Sequence, residues 1–473
     1  MENSLPPSAL NAADAPQTAP NLTIASNLKI GLFHLGSGMA DVMTTGIWNR
    51  IMISDLGFNA TPIGLLVALR YFLAPLGVWA GHKSDERSFF GYRRLFWIWL
   101  GRAMMVLSTL MLGFTTANLA RGMEATAVTW ITLAATLLIF SLGTAISGST
   151  FLALVYDRAA ESQRTRAVGI VWTFLLVGFT IAGIFFGILL PSGEGEAGGS
   201  YTPETLQNLF LIAALVLGAL WFISLLGEEK RNTAAISRQD EREKAPSILS
   251  DLKHAWRSPS MRFFFWYLVL SMIFAFSQDL ILEPFAGDVF DMPARTTTRF
   301  AAYWGSMAIL GTVVFIFLSR RYKRLTNTVM NYIGVTVLLI TFLLFALSSI
   351  ANIRGLVTPA LITLGIGLGI WNVGTLGMMM DMSPFGKAGT FLGFWSLVVT
   401  FARGFGVSGG GILRDIFLSI GDTHAMAYGL VFLTGAVGLG AALFMLSRVN
   451  VRAFKEAEEQ PAEVEAVFAG GLD

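Results

Sequence analysis

The stretch GLFHLGSGMADVMTTGIWNRIMI (31–53) is long and apolar enough to cross a bilayer, because about 20 residues at roughly 1.5 Å rise span the hydrocarbon core. It nevertheless carries four polar groups, His34, Asp41, Asn49 and Arg50. Such groups are costly at membrane depth unless they face a partner or a water-filled cavity. His34, Asp41 and Trp48 recur every seven residues, so a continuous helix would place them on one face. That face is predicted to look inward, toward other helices.

The composition of the whole chain points to a membrane protein. Of its 473 residues 54% are hydrophobic and 14% are charged, whereas a soluble domain has about 25% charged residues. The formal net charge of +2 argues against nucleic acid as a partner. The absence of cysteine from the sequence excludes disulfides, thiolate metal sites and a cysteine nucleophile.

Hydropathy predicts about twelve apolar spans, and their loops predict the orientation. Lys and Arg concentrate in the loops on one side, which the positive-inside rule assigns to the cytoplasm. Both termini are therefore predicted to be cytoplasmic, in a multi-pass inner-membrane protein. The predicted spans are 29–53, 60–81, 94–116, 126–156, 165–190, 205–227, 262–284, 297–319, 327–350, 356–381, 387–413 and 424–447.

The longest connection divides these spans into six and six. Its end, PSILSDLKHAW (246–256), has an apolar stripe at helical spacing. That helix is predicted either to lie on the membrane surface or to pack on neighbouring loops. The predicted domains are a disordered segment 1–28, a bundle 29–227, a linker 228–261 with the amphipathic helix, a bundle 262–447 and a tail 448–473.

The two halves show signs of duplication. Gly143 and Gly367 are 224 positions apart, as are Asp157 and Asp381, and Trp172 and Trp395 are 223 apart. Two repeats of six spans around a central loop resemble the layout of the major facilitator superfamily. We therefore predict an all-α integral membrane protein of the major facilitator fold, with two six-helix pseudo-repeats. In that fold, spans one, four, seven and ten are expected to line a central cavity.

The loop GHKSDERSFFGYRR (81–94) resembles the signature loop of that superfamily. Glycines permit a tight turn, and a carboxylate can pair with basic groups and helix N-termini to latch one conformation. A plain positive-inside loop would be basic too, but would not need the glycines. The predicted latch residues are Gly81, Lys83, Asp85, Gly91, Arg93 and Arg94, together with Asp157 and Asp381 at the ends of spans four and ten, each paired with a following cation, Arg158 or Lys387.

Four segments together point to a narrower family. They are LFHLGSGMADVMTTGIWNRIMI (32–53), the loop just described, QDLILEP (278–284) and GGGILRD (409–415). In combination they resemble the PucC/LhaA family, the bacteriochlorophyll-delivery branch of the major facilitator superfamily, over roughly 28–447. His34 stands where that motif usually has Gln, and Asp41 stands near a usually apolar position, which leaves the branch open.

The resemblance implies a role in assembling light-harvesting antenna complexes in a photosynthetic, intracytoplasmic or thylakoid membrane. It implies no tightly bound cofactor, and (bacterio)chlorophyll as a transient ligand. The implied partners are that pigment, antenna polypeptides or the pigment-synthesis enzymes that feed them, and membrane lipid.

The polar groups inside the spans have two interpretations. Asp279 and Glu283 lie four residues apart, hence on one face of a continuous helix. With arginine counter-charges they would either form buried ion pairs that fix the two halves against each other, or hold a ligand or a proton. The candidates in the central cavity are His34, Asp41, Asn49, Arg50, Arg70, Gln278, Asp279, Glu283 and Arg403.

His34 and Asp41 each leave an alternative open. A neutral imidazole can serve as an axial ligand to the magnesium of a chlorin, or a hydrogen bond to a neighbouring helix can satisfy it. Burial of an unpaired carboxylate favours its protonated form, so Asp41 could exchange a proton. Alternatively, Arg70 neutralises Asp41 permanently.

The sequence has no Ser/His/Asp or Walker pattern, and GFGVSGGGILRD (404–415) reads as a helix-packing surface. We therefore predict that the chain is not an enzyme. The favoured function is a membrane factor that handles (bacterio)chlorophyll during antenna assembly. The alternatives are a proton-coupled carrier of small solutes and a non-transporting chaperone that docks antenna polypeptides.

Overall fold

The computed structural model of the chain describes residues 22–191, 202–231, 256–383, 388–421 and 423–456. Within those ranges the regular secondary structure is helical, apart from an isolated bridge between Phe89 and Tyr92. Residues 246–255 of the predicted amphipathic helix lie outside the described part, as does Lys387. Most of the predicted N-terminal segment and of the predicted tail lie outside it as well.

Each predicted span corresponds to helix in the structure. In the first half the helices are α1 (Ile24–Val42), continued by π-helical turns at Met43–Trp48 and Ile51–Asp55, α2 (Ala60–Phe72), α3 (Ala74–Glu86), α4 (Leu95–Ala120), α5 (Ala127–Arg158), α6 (Arg164–Leu189) and α7 (Pro203–Ile223). In the second half they are α8 (Pro259–Phe276), α9 (Leu282–Phe290), α10 (Ala294–Thr298), α11 (Phe300–Arg321), α12 (Asn327–Ile350), α13 (Val357–Asp381), α14 (Ala388–Ile420) and α15 (His424–Ser447).

Four of the predicted spans are built from more than one helical piece. Span one is α1 with its π-helical turns, span two is α2 with α3, span seven is α8 with α9, and span eight is α10 with α11. Eleven stretches of the described helix are long and apolar enough to cross a membrane. Span one is the remaining one of the twelve predicted spans, and its α-helical part ends at Val42.

Threonine side chains begin many of these helices. A hydroxyl that accepts a hydrogen bond from the backbone N–H three residues on satisfies a donor that the first turn leaves free. Thr23 caps α1 in this way, so the helix begins at Ile24, inside the segment 1–28 that was predicted to be disordered. The same cap starts four other helices, at Thr126, Thr202, Thr326 and Thr423.

Within each half, glycines let helices cross at close range. In the first half α1 packs on α6 and α4 packs on α5. Gly143 lies against the backbone of Gly101 on α4, and its counterpart Gly367 lies against Leu338 on α12. The predicted duplicates therefore occupy equivalent crossings, between spans three and four and between spans nine and ten. The domain boundaries at 227 and 262 stay a prediction.

The two halves meet mainly at one side of the membrane. We call the side where α1 begins and α15 ends the terminal side, and the opposite side the far side. α14 packs along α2 but hardly touches α3, the terminal-side part of the same span. Gly411 on α14 lies against the backbone of Ala60, and Gly183 on α6 against that of Thr298, both on the far side. On the terminal side, Gly169 and Gly393 face open space.

Candidate functional site

The first ion pair at the centre of the molecule joins spans one and two. Arg70 on α2 donates from Nη1 to Asp41 Oδ1 on α1, and from Nη2 to the Tyr71 hydroxyl at 2.8 Å. The Arg70 side chain is buried, whereas 28% of the Asp41 side chain remains exposed. Asp41 therefore has a cationic partner, Arg70. Neutralisation by Arg70 was the predicted alternative to proton exchange at Asp41.

The second ion pair joins spans seven and eleven. Arg403 on α14 donates to Asp279 at 2.9 Å, and Gln278 donates to the other oxygen of that carboxylate at 2.6 Å. The Arg403 guanidinium lies 4.2 Å from the ring centre of Phe276 and 5.3 Å from that of Tyr71. Tyr71 therefore touches the arginine of each pair. We call Asp41, Arg70, Tyr71, Gln278, Asp279 and Arg403 the central charge cluster.

The central charge cluster is built from spans one, two, seven and eleven, and it contains the predicted candidates Asp41, Arg70, Gln278, Asp279 and Arg403. The expectation that spans one, four, seven and ten line a cavity stays a prediction. Each carboxylate also pairs with a guanidinium of its own half, so these pairs do not themselves fix one half against the other. Within this cluster, the halves contact each other where the Arg403 guanidinium lies over the Tyr71 ring.

Spans one and seven are both irregular where they meet. α8 ends at Phe276 and α9 begins at Leu282, and the backbone between them forms tight turns, with i→i−3 hydrogen bonds from Asp279 to Phe276 and from Ile281 to Gln278. Asn49 Nδ2 donates to the carbonyl of Leu280 in this break, at 2.5 Å. Interrupted helices in corresponding spans of two repeats are typical of binding sites in secondary transporters.

These irregularities bear on two predictions of shared helix faces. Asp279 and Glu283 lie in different helical pieces, because residues 277–281 separate α8 from α9. The π-helical turns after Val42 change the register of span one. The Trp48 indole donates to Thr116 on α4.

Glu283 and Arg50 lie close to that meeting point without pairing directly. The Arg50 side chain binds Asp55 at 2.7 Å and the carbonyl of Met292 at 3.1 Å. Glu283 Oε2 has no hydrogen-bond partner among the described residues. Gly46 leaves room for this carboxyl, since a Cβ there would lie 3.4 Å from Oε1. Glu283 is thus a buried acid without a direct cationic partner in the described part of the chain.

His34 sits in a wall of aromatic rings. Its imidazole centre lies 4.9 Å from the ring centre of Phe151 on α5 and 5.6 Å from that of Trp172 on α6. Phe33 packs on the same side, with its ring stacked on Phe151 at 3.9 Å. Neither ring nitrogen of His34 has a hydrogen bond to a described residue, and Nδ1 is fully buried. Among the described residues, His34 therefore does not form the hydrogen bond to a neighbouring helix that was the alternative to binding magnesium.

The predicted latch loop forms a compact network at the terminal side. Arg94 donates to Asp85 at 2.5 Å and to Asp157 at 3.0 Å, so it joins the loop to the end of span four. Arg93 reaches Asp157 at 3.2 Å. Gly91 adopts φ +83°, which a tight turn requires and which favours glycine. Gly81 contributes its carbonyl, which accepts from the Ser84 hydroxyl at 2.7 Å.

Arg158 and Lys83 have partners outside the predicted latch, and the predicted partner of Asp381, Lys387, lies outside the described residues. Arg158 pairs with Glu228 rather than with the neighbouring Asp157, because the two side chains leave the helix in different directions. Lys83 pairs with Glu86 one turn further along α3, outside the network. Asp381 accepts from Lys455 at 2.7 Å and from Asn327 at 2.8 Å, all within the second half.

The sequence analysis missed a second polar cluster at the far side. Both oxygens of Asp415 on α14 accept hydrogen bonds from the first backbone N–H groups of α2, from Ala60 at 3.0 Å and Thr61 at 2.7 Å. Arg414 bridges Asp415 and Asp288. We call these residues, with Tyr428, the far-side cluster. The segment GGGILRD (409–415) carried a signal for this cluster, because it ends in an adjacent Arg and Asp.

It also missed Arg102 on α4. The signal was present, because an arginine in the apolar run LFWIWLGRAMM (95–105) is unusual at membrane depth. Its guanidinium is buried beside Phe33 and Trp221, next to the aromatic wall of His34.

The helical architecture, with paired charges at its centre, resembles the fold of secondary transporters. A crystal structure of a bacterial homologue of the human lysosomal transporter Spinster, inward-facing and unoccupied, matches 92% of this chain and 98% of its own with a TM-score of 0.69 at 15% identity. A crystal structure of the nucleoside transporter NupG matches with a TM-score of 0.62 at 14% identity, over 90% of this chain and 99% of its own. These neighbours support the predicted major facilitator fold.

Sequence similarity identifies the family of this chain. A family model described as PUCC protein matches residues 47–454, and the chain belongs to that family. The "Bacteriochlorophyll synthase 44.5 kDa chain" of Rhodobacter capsulatus is 30% identical, over 93% of this chain and 98% of its own. "Protein PucC" of Rhodovulum sulfidophilum is 28% identical, over 85% and 87%. The chain is a multi-pass protein of the bacterial inner membrane, and its family and fold resemble transporters rather than enzymes.

Proposed function

We propose that this protein handles bacteriochlorophyll in the membrane during assembly of light-harvesting antenna complexes, without catalysing a covalent step. The names of the relatives supply the pigment, since one is called a bacteriochlorophyll synthase chain and others are called PucC. The proposed partners are the pigment as a transient ligand, and antenna polypeptides or pigment-synthesis enzymes on either side of the transfer.

The observation that carries this proposal is the His34 imidazole, buried in an aromatic wall without a hydrogen bond to any described residue. A neutral imidazole nitrogen is a ligand that the magnesium of a chlorin accepts, and flat aromatic rings stack on a macrocycle. Trp172, half exposed beside His34, supplies such a surface. In this proposal His34 holds the metal while Trp172 and Phe151 border the ring.

The central charge cluster would have a different part in the same function. Because Asp41 and Asp279 are each neutralised within their own half, an uncharged, largely apolar cargo could pass beside them without breaking an ion pair. A small charged solute would instead need to compete with those pairs. This difference favours a pigment over a small polar solute as cargo.

The test is the absorption spectrum of the protein purified gently from a pigment-making host, as wild type and as His34→Ala. The matched control is His82→Ala, because His82 lies on α3 at the terminal side and pairs with exposed Glu86. We expect chlorin bound near one per protein in the wild type and in His82→Ala, and lost or spectrally shifted in His34→Ala.

The other outcomes discriminate among the alternatives. Pigment retained equally by all three proteins would keep the handling role and remove His34 from the site. Antenna polypeptides without pigment would favour the docking chaperone. Neither pigment nor antenna would contradict the proposal and favour the proton-coupled carrier, for which buried Glu283 would be the first residue to test.

A further inference from the structure

Arg102 differs from the other buried arginines inside the spans. Arg50, Arg70, Arg403 and Arg414 each pair with a carboxylate, namely that of Asp55, Asp41, Asp279 and Asp288. Arg102 has no carboxylate partner in the described part of the chain, although only 2% of its surface is exposed. The carboxylate whose charge acts on it is that of Asp41, which is already bound to Arg70. The first half therefore contains one buried positive charge in excess.

The contacts that Arg102 does make are weak ones. Its guanidinium carbon lies 4.2 Å from the ring centre of Phe33 and 4.7 Å from that of Trp221, so rings of α1 and α7 border it. Its Nη1 donates to the sulfur of Met105 at 3.3 Å, and a thioether is a poor acceptor. Ring quadrupoles and a sulfur atom offset only part of the loss of hydration of a full charge.

Polar atoms without partners collect around this arginine. Arg102 Nε and Trp221 Nε1 are buried donors that find no acceptor among the described residues. Trp221 Nε1 lies beside span one, since a Cβ on Gly36 would be 2.8 Å from it. His34, whose Nδ1 is also unpartnered, is close enough for the Arg102 charge to act on its ring. The Arg102 guanidinium, which has an unused N–H and no carboxylate partner in the described part of the chain, is the complement of an anion.

We infer that Arg102 anchors a binding site, between spans one, three and six, for an oxyanion carried on an apolar body. A guanidinium binds carboxylate or phosphate oxygens through parallel N–H bonds, and these would replace the bond to the Met105 sulfur. Met105 is unbranched and flexible, so it can move aside for the ligand. The apolar body would pack on Phe33 and Trp221. The anion could come from a chlorin that still carries a free carboxylic acid, a case that rests on the proposed function, or from an acidic lipid, and the chemistry is the same for both.

The binding test uses two probes that differ only in the charge. Pyropheophorbide a, a chlorin monocarboxylic acid, and its methyl ester are titrated against the purified protein as wild type, Arg102→Gln and Arg102→Lys. The matched control is Arg121→Gln, which removes an exposed arginine at the far side. We expect the acid to bind the wild type and Arg121→Gln about tenfold more tightly than the ester. Arg102→Gln should bind both probes equally, and Arg102→Lys should lie between.

A second arm distinguishes the lipid source. The same proteins are reconstituted in phosphatidylcholine with a minor fraction of phosphatidylglycerol, and the lipid that remains bound after extraction is measured. Enrichment of phosphatidylglycerol by the wild type, lost in Arg102→Gln, assigns the site to acidic lipid. Enrichment in neither protein, together with discrimination between the chlorin probes, assigns it to a carboxylic acid of the cargo.

A third readout keeps the inference testable if a variant is hard to produce. Because the site holds an uncompensated charge, Arg102→Met should melt at a higher temperature than the wild type when no anion is present. The inference would be overturned if Arg102→Met melted several degrees lower than the wild type and neither the chlorin probes nor the lipid bound the two proteins differently. Arg102 would then be a purely structural cation. Neither chlorin probe contains magnesium, so failure here and failure of His34 as a pigment ligand are separate results.

Discussion

The two sides of this protein hold their charges in different ways. At the far side, the Asp415 carboxylate of α14 caps the first turn of α2, so polar contacts cross from one half to the other. At the terminal side, Arg94 with Asp85 and Asp157, and Asp381 with Lys455, each stay within one half. Among the described residues, the far side is thus where the halves are joined. The cavity between them is expected to open toward the terminal side.

This difference identifies contacts that a change of conformation must break. A rigid-body motion of the halves would leave the terminal-side networks and both central ion pairs intact, because none of them crosses between the halves. It would have to remove the Asp415 cap and separate the close contact at Gly411. Since the native sequence has no cysteine, single introduced cysteines report on each side without a background.

The largest expected effect is that of Asp415→Ala. It removes two hydrogen bonds from backbone N–H groups to a carboxylate, worth about 3 kcal/mol together, or roughly a hundredfold in the ratio of far-side closed to open molecules. A cysteine at Ser408, buried in the far-side contact, should then react with a maleimide much faster. The control is Glu204→Ala, which removes a far-side carboxylate whose partner, Arg121, belongs to the same half. Equal labelling rates in Asp415→Ala and the wild type would contradict the assigned role.

A smaller effect is expected from a side chain added where the halves touch. A Cβ on Gly411 would lie 2.7 Å from the Ala60 carbonyl, so Gly411→Val should weaken far-side closure by about 2 kcal/mol. Gly393→Val makes the same substitution on the same helix at the terminal side, where nothing lies within 4 Å. The labelling rate at Ser408 should rise only in the first variant. A similar rise in both would mean that the substitution acts through the helix itself and not through the contact.

The smallest expected effect is that of Arg94→Gln at the terminal side. Its partners Asp85 and Asp157 are almost half exposed, so solvent screens the pairs and the variant should lose about 1 kcal/mol of stability. Because the network lies within the first half, thermal unfolding should shift while the labelling rate at Ser408 stays unchanged. An altered labelling rate would show that the latch loop controls the halves after all, as the signature-loop interpretation proposed.

The two irregular spans show how far reasoning from the sequence reached. Hydropathy along the sequence predicted about twelve apolar spans, and the glycine and aspartate pairs 224 residues apart predicted their duplication. The same reasoning treated spans one and seven as continuous helices, and therefore missed the π-helical turns after Val42 and the interruption at residues 277–281. A π-helical turn or a broken helix leaves the hydropathy of a span unchanged, so periodicity does not reveal it.

The sequence by itself determined what this chain must bury and where it must turn. Lipid demands apolar helices about 20 residues long, and each charged residue within them is visible as an exception. Only the tertiary structure decided which charges neutralise each other. Ion pairing depends on distances between helices far apart in the chain, so Asp41 found Arg70, Asp279 found Arg403, and Asp415 found the first turn of α2. Arg102 was left with no carboxylate partner in the described part of the chain.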